Sequence, residues 1–487
     1  MVRKALLWSF AGQTSSMIVT FAGSVVVARL LTPHDVGIYA VAMATIGILQ
    51  LSTSFGVGLY VVREEALTPA TVDAAFSMNA LLSAGLALLV FAASFAGERF
   101  LREPAVGTVL RVLAVTPLIS ALGFGPATML QRGMLFRGTA VIGTLSAILT
   151  TGTTIAAALT GARYMSPAWG SIAGGLFSSL ATIVIGRRHF AVRLSTHGWR
   201  RMFAFGLRMM SIGGISSAAV RVSDLVLGNL LGLEALGLYS RATGINNLLL
   251  GNIYATMTRV VFAKLSDAQR NEGNVTAVYL RGFRLITSVM GPVVIGLAVL
   301  AGPAIRLLYG ERWLGAATPL SLLLVGQFVS LSFAMNWELF VIRDQLKTQT
   351  RLEIGRSILG IATQVVGSLI SLAAVAATSI VDNLVSLFVY GRYMPDLAAT
   401  SAARLRRLHG EAIVLTAVAV APAMLLMVAT GWRADAPLPL VGGSVVLGAM
   451  LWLLTLFAID HPTAEEVRML WRQIDCGRLG SAKVPGA

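Results

Sequence analysis

The sequence predicts an all-α polytopic membrane protein of about fourteen transmembrane helices, arranged as two parallel six-helix lobes followed by two C-terminal helices. Three observations carry this expectation. Of 487 residues, 56% are hydrophobic and only 12% charged, with a mean hydropathy of +0.78, whereas soluble domains carry roughly a quarter charged residues. Apolar stretches of about 20 residues, the length a helix needs to cross hydrocarbon, recur along the whole chain. The chain also resembles itself at a displacement of 200 residues. A water-soluble enzyme of this length and a disordered chain are both excluded.

The first stretch, 6–30, follows the basic start Met1-Val2-Arg3-Lys4. It is too long for the apolar region of a secretory signal, so it reads as an uncleaved helix. After a turn around Pro33, 36–62 returns, and 76–97, 109–130, 138–160 and 166–186 complete an N-terminal lobe over 1–186. A basic linker, 187–203, leads to a second lobe over 204–395. Its stretches are 204–231, 236–262, 282–305, 316–341, 353–374 and 377–394, the last two separated by a very short turn near Ala376. The block 396–458 adds 412–431 and 438–458. A tail over 459–487 follows, with one short helix from Thr463 to Ile474.

Charge fixes the orientation. Lys plus Arg number 38 against 22 Asp plus Glu, a formal net charge of +16. With both termini in the cytoplasm, about 27 of the basic residues fall on the inner side and about 8 on the outer, the asymmetry expected of a multi-pass membrane protein with that orientation. Topology therefore accounts for the excess, and nucleic acid is not expected as a partner. Cys476 is the one cysteine, and the five histidines are scattered, so the sequence offers no internal disulfide, metal cluster or cofactor motif.

The repeat is clearest where Val25–Ala42 aligns with Leu225–Ala242. Leu30/Leu230, Leu31/Leu231, Gly37/Gly237 and Tyr39/Tyr239 are identical, and an acid precedes each Gly-x-Tyr. Both copies join an outgoing helix to a returning one, so the repeats run parallel. Two such lobes, related by an axis along the membrane normal, enclose a crevice that opens to either side by rocking.

Three motifs carry a family resemblance. Ala28-Arg-Leu-Leu-Thr-Pro-His-Asp-Val-Gly-Ile-Tyr39 resembles the first-loop signature of the polysaccharide (O-antigen and exopolysaccharide) flippases, in the multidrug/oligosaccharidyl-lipid/polysaccharide exporter superfamily. Val261-Phe-Ala-Lys-Leu-Ser-Asp-Ala-Gln269, with Tyr279, Arg281 and Pro292, is similar to their segment between helices eight and nine. Leu307-Leu-Tyr-Gly-Glu-Arg-Trp-Leu-Gly-Ala-Ala-Thr-Pro-Leu320 resembles the turn between nine and ten. The likeness covers roughly residues 1–400. Ala263 departs from a common proline, which implies a less kinked end to helix eight.

The resemblance implies a V-shaped, two-lobe, non-enzymatic transporter of oligosaccharide linked to polyprenyl pyrophosphate. It also implies a coupling ion (proton or sodium), surrounding membrane lipids, and polysaccharide polymerase and export machinery as partners. Such a cargo needs a wet, cation-lined path, and arginine offers a planar fork to phosphate oxygens. Charges at bilayer depth are costly and so mark such paths. The substrate-binding candidates are therefore Arg221 with Asp224, one helix face apart at i,i+3, then Arg241, Arg29 at the outer end of the first stretch, Arg259, Glu338 and Asn246. In the N-terminal repeat, Phe21 and Ser24 occupy the positions of Arg221 and Asp224. Each candidate also has a structural reading: a buried pair for Arg221 and Asp224, a snorkelling side chain for Arg259, helix-to-helix bonding for Glu338 and Asn246. Asp382 reads as a helix cap, Trp8, Trp313, Trp432 and Trp452 as interfacial anchors, and Gly170-x3-Gly174 as a close-packing stripe.

A multidrug exporter of the same superfamily would share this architecture. The loop Val62-Arg-Glu-Glu-Ala66 does not fit the major-facilitator motif. A membrane glycosyltransferase or ligase would want a folded outer loop or a nucleophile–base pair, and the sequence presents neither.

Overall fold

The computed structural model describes residues 2–51, 56–64, 67–101, 103–187, 195–271 and 273–469. Parts of the linker (188–194) and of the tail (470–487, with Cys476) lie outside the described residues. Among the described residues there is no strand.

Helices occupy every predicted stretch. The first half contains α1 (Val2–Leu30), α2 (Pro33–Leu51), α3 (Val57–Arg63), α4 (Pro69–Leu101), α5 (Pro104–Leu113), α6 (Thr116–Arg132), α7 (Phe136–Leu159) and α8 (Ser166–Ile185). The second contains α9 (Trp199–Leu230), α10 (Leu233–Leu248), α11 (Ala255–Arg270), α12 (Val275–Val299), α13 (Ala301–Tyr309), α14 (Ala317–Ser330), α15 (Asn336–Ile342), α16 (Leu346–Ser368) and α17 (Leu372–Leu397), followed by α18 (Ala402–Ala429) and α19 (Leu438–Ala458). Ten candidate spans among the described residues are long and apolar enough to cross a membrane. Three of the remaining helical stretches, α9, α10–α11 and α16, carry Arg221, Asp224, Arg241, Arg259 and Glu353.

Several boundaries differ from expectation. Stretch 36–62 is two helices, α2 and α3. Stretch 236–262 is interrupted by a π-helical turn, Leu249–Tyr254, and 316–341 by a 3-10 turn followed by Met335 in the left-handed region (φ 61). The junction before the twelfth stretch lies at 369–371 rather than near Ala376. As a result Asp382 is ten residues inside α17 and is not a cap; its carbonyl accepts the Ser386 hydroxyl. α11 runs unbroken through Ala263, where the absence of proline leaves the backbone ladder complete.

Contacts divide the chain into two compact units. One comprises Met1–Ser240, Leu308–Trp313 and Ser357–Leu372, the other Arg241–Leu307, Leu314–Arg356 and Ala373–Ala487. In the first unit, α8 lies close on α7: a Cβ at Gly170 or Gly174 would overlap the hydroxyls of Thr154 or Thr150, and Ser146 Oγ donates to the Gly174 carbonyl (2.9 Å). Small residues let backbones approach this closely inside a bilayer, where association depends on packing and polar contacts. In the second unit, Tyr279, Phe283, Ile286, Met290 and Val294 are fully buried along one side of α12, the three-to-four-residue spacing of a helix at the centre of its bundle.

A second pair of turns shares one local geometry. After α6, Met134 takes φ 53 and the Leu135 amide bonds the Leu130 carbonyl (3.0 Å). After α15, Asp344 takes φ 54 and the Gln345 amide bonds Phe340 (2.9 Å). Both close as left-handed C-caps. In each, the preceding arginine binds a distant helix end: Arg132 Nη1 donates to the carbonyls of Val61 (2.7 Å) and Glu64 (2.5 Å), and Arg343 Nε to that of Leu397 (2.9 Å).

Beyond α19, His461 precedes a helix over 462–469. Its Nδ1 accepts the Thr463 amide (3.3 Å), the Thr463 hydroxyl meets Ser288 Oγ (2.9 Å), and Trp452 Nε1 donates to the Ser288 carbonyl (2.8 Å). Burial, reinforced by the Arg284 charge, holds the imidazole down at about 4. The unfolded ring, titrating near 6.5, then binds more protons than the folded one below that pH, so stability falls as pH drops from about 6.5 towards 4. Thermal unfolding in nanodiscs should show a loss on the order of 1–3 kcal/mol over that window. His461→Asn, which keeps a capping acceptor without the titration, should flatten it; an unchanged pH slope in that variant would refute the assignment.

Candidate functional site

The turn that carries the sequence repeat is built twice. Thr32 and Asp35 form a reciprocal cap on α2: Asp35 Oδ2 accepts the Thr32 amide (3.1 Å) and hydroxyl (2.7 Å), while Thr32 Oγ1 accepts the Asp35 amide (3.1 Å). Pro33 follows at the first helical position, where its missing N–H costs nothing. The second copy turns through Gly232 (φ 90) into α10. The two turns then pack against each other. A Cβ at Gly37 would overlap the Leu233 carbonyl, and one at Gly237 would overlap the Pro33 carbonyl. Residues 33 and 37 thus mirror 233 and 237, which places a local two-fold axis between them.

The end of α1 is tied in as well. Trp313 Nε1 donates to the Ala28 carbonyl (2.6 Å), and Arg29 Nε donates to the Leu308 carbonyl (3.3 Å). Trp313 is fully buried, so it is a packing residue and not the interfacial anchor expected of it. Trp8 and Trp432 are exposed, as belt residues are. Trp452 is half-buried, with its N–H on Ser288.

Arg221 and Asp224 do meet. Their Nη1···Oδ2 separation is 3.9 Å, too long for a direct hydrogen bond, and the side chains remain 44% and 25% exposed. What holds the arginine is α2: a Cβ at Gly47 would fall 2.8 Å from Arg221 Nε and 3.0 Å from Cδ. The guanidinium stem therefore lies across a helix that presents no side chain there. In the N-terminal repeat, Ser24 Oγ donates to the Phe21 carbonyl (2.8 Å), so the charge belongs to one copy only. Gly47 is a site residue that the sequence reading missed. Its signal was a glycine in an apolar helix interior, where glycine costs roughly 0.5–1 kcal/mol relative to alanine.

The other candidates lie in the second unit. Arg241 is half-buried on α10, and the Asn246 amide oxygen is buried without a hydrogen bond to a described residue. Arg259 is exposed and folds back on its own helix, with Nε on the Ala255 carbonyl (3.0 Å) and Nη2 towards Thr256 (3.4 Å). Glu338 sits half-buried in the first turn of α15, just after the break at Met335, whose amide donates to Tyr254 Oη (3.3 Å) at the end of the π-helical turn. Glu338 forms no ion pair with a described residue.

Sequence reasoning also missed a basic–acidic cluster that fastens α12 to α18 and the final helix. Arg284 pairs with Glu411 (2.8 Å), which also meets Arg407 (3.7 Å), and Arg281 pairs with Glu465 and Glu466 (3.1 Å each). No group of three potential metal ligands occurs among the described residues. Chemically, the arrangement offers a partly exposed cation, Arg221, held against Gly47, and several uncharged polar groups.

Comparison with known proteins gives consistent results. The family model described as "polysaccharide biosynthesis protein" matches residues 26–318. The teichuronic acid biosynthesis protein TuaB of Bacillus subtilis is 22% identical over 278 residues, 57% of this chain and 58% of that protein. The succinoglycan biosynthesis transport protein ExoT of Rhizobium meliloti is 23% identical over 321 residues, 65% and 64% of the two chains. The alignments thus span less than two thirds of the length of these relatives. Among solved structures, the lipid II flippase MurJ in an inward closed conformation superposes with a TM-score of 0.70 at 13% identity, over 93% of this chain and 99% of that one. An inward-facing multidrug resistance MATE family transporter gives 0.53 at 16% identity, over 82% and 96%. These superpositions establish a shared fold.

Proposed function

Because the chain belongs to the polysaccharide biosynthesis protein family, we propose that it is a flippase carrying oligosaccharide linked to polyprenyl pyrophosphate across the inner membrane for surface polysaccharide synthesis. It is not an enzyme in this reading. It works by alternating access of two six-helix lobes, 1–186 and 204–395, with fourteen helices crossing the bilayer and both termini cytoplasmic, as the Lys/Arg asymmetry favours. Proton or sodium movement would drive it, and polymerase and export machinery would receive its product.

The observation that carries the proposal is Arg221. It is a permanently charged fork at membrane depth, seated on Gly47, loosely paired with Asp224 and still accessible. A purely structural cation would be closely paired, because an uncompensated charge there is expensive. A pyrophosphate is the anion that such a fork suits.

Deleting the gene and quantifying surface polysaccharide together with glycan-charged carrier tests the reading. The expected result is loss of polysaccharide with charged carrier trapped in the inner leaflet, restored by the wild-type gene. Normal polysaccharide with altered drug tolerance would move the protein to the drug-exporting branch, and full-length glycan stranded on the outer leaflet would point to a ligase.

A further inference from the structure

The first unit contains a cavity of about 500 Å³ between α2, α4, α6 and α8, within the range of about 300–1,000 Å³ found for small-ligand sites. Its polar side chains are Gln50, Asn79, Ser83, Thr116, Ser120 and Ser171, the last already bonded to Tyr39 and the Pro167 carbonyl, with the Phe124 ring on one wall; none of the described lining residues is charged. Asn79 and Ser83 stand four apart on α4 and so share a face. Neither makes a hydrogen bond to a described residue. Thr116 and Ser120 spend their hydroxyl protons on the carbonyls of Leu113 (2.7 Å) and Thr116 (3.1 Å), which leaves their lone pairs facing outward as acceptors. Through Asn79 and Ser83 the cavity therefore presents free donors, and through these and the Thr116 and Ser120 oxygens it presents acceptors, beside an aromatic face and without a net charge.

That combination narrows the ligand. A phosphate, carboxylate or ammonium would enter without a counter-charge, which is costly. A hydrocarbon tail would leave Asn79 and Ser83 unsatisfied, at about 1–3 kcal/mol for each buried group. A neutral sugar ring satisfies both demands: its hydroxyls donate and accept, and its C–H face packs on an aromatic ring. The cavity also adjoins the cation. Met43 and Gln50 line it from α2, and Gly47, which supports Arg221, lies between them on the same helical stripe.

We propose that this cavity is a subsite for an uncharged sugar residue of the cargo, beside the arginine that takes the pyrophosphate. The proposal rests on the flippase reading above. It makes the first unit a selectivity element that favours a neutral hexose over a uronic acid near the phosphate.

The test uses the full chain in nanodiscs and three probes: bare polyprenyl pyrophosphate, the same lipid bearing one glucose, and the same lipid bearing one glucuronic acid. Wild type should bind the glucose lipid about tenfold more tightly than the bare lipid, and the glucuronic acid lipid no better than the bare one. Asn79→Ala/Ser83→Ala should lose the glucose increment and keep the affinity for bare lipid. Ser83→Phe, which fills the space while leaving Asn79 in place, should do the same and guards against a folding artefact. Arg221→Ala should weaken all three equally. A glucose increment that survives both cavity variants overturns the proposal, as does weaker binding of the bare lipid by those variants, which would mark the cavity as a tail site. If wild type binds none of the three lipids, the flippase reading itself fails.

Discussion

Gly37→Ala and Gly237→Ala should each destabilise the protein by about 1–3 kcal/mol, and the double variant should cost clearly less than the two together. In each single variant a new methyl group must displace a backbone carbonyl of the opposing turn, Leu233 or Pro33, and carbonyls cannot move aside as a flexible side chain can. Overpacking of this kind typically costs 1–3 kcal/mol. The contact is reciprocal, however: once one methyl has pushed the turns apart, the second finds the space already made. Residues that share a contact are non-additive in this way, while distant ones add to within about 0.5 kcal/mol. Thermal unfolding of the two singles and the double in nanodiscs closes the cycle. Strict additivity, or no effect at all, would mean that the two turns are not held face to face.

Arg221→Ala should lower transport at least tenfold while leaving the unfolding temperature near that of wild type, and Arg221→Lys should recover only part of it, because a point ammonium lacks the bidentate fork. The discriminating variant is Arg221→Ala/Asp224→Ala. Removing both members of a structural pair relieves the orphaned charge and restores what the single change cost; if Arg221 contacts cargo, the double variant recovers no transport. Gly47→Val should resemble Arg221→Ala, since its side chain would occupy the place of the arginine stem. Transport rescued by the double variant would make the pair a packing device.

What the sequence disclosed followed from periodicity and from turn chemistry. Apolar runs of bilayer length located the helices, and Leu-Leu-x5-Gly-x-Tyr located the duplicated turn at a displacement that the structure reproduces residue for residue, from Pro33/Leu233 to Gly37/Gly237. The pairing of Arg221 with Asp224 was legible because i,i+3 spacing is a local property. What was not legible depended on contacts between distant segments. Nothing in Ala334-Met335-Asn336 signals a left-handed residue, since no glycine or proline marks it, and Gly251 inside the π-helical turn is one of several glycines in apolar helices and does not by itself signal that turn. Trp313 read as an interfacial anchor because its burial depends on the carbonyl of Ala28, 285 residues away. Asn79 and Ser83 look in sequence like ordinary small polar residues of a membrane helix; only the cavity distinguishes them. His461 was one scattered histidine until the fold set Ser288 and Trp452 beside its helix.

The central claim is that this chain moves a lipid-linked glycan between leaflets. Purified protein reconstituted into liposomes that carry glycosylated polyprenyl pyrophosphate in both leaflets tests it most directly, with an added membrane-impermeant glycosidase reading the fraction of glycan exposed outside. The account predicts that the accessible fraction rises from the outer-leaflet share towards completion with wild-type protein and stays at the starting share with Arg221→Ala. An accessible fraction that does not rise with folded wild-type protein, under an imposed proton or sodium gradient of either direction, would contradict it.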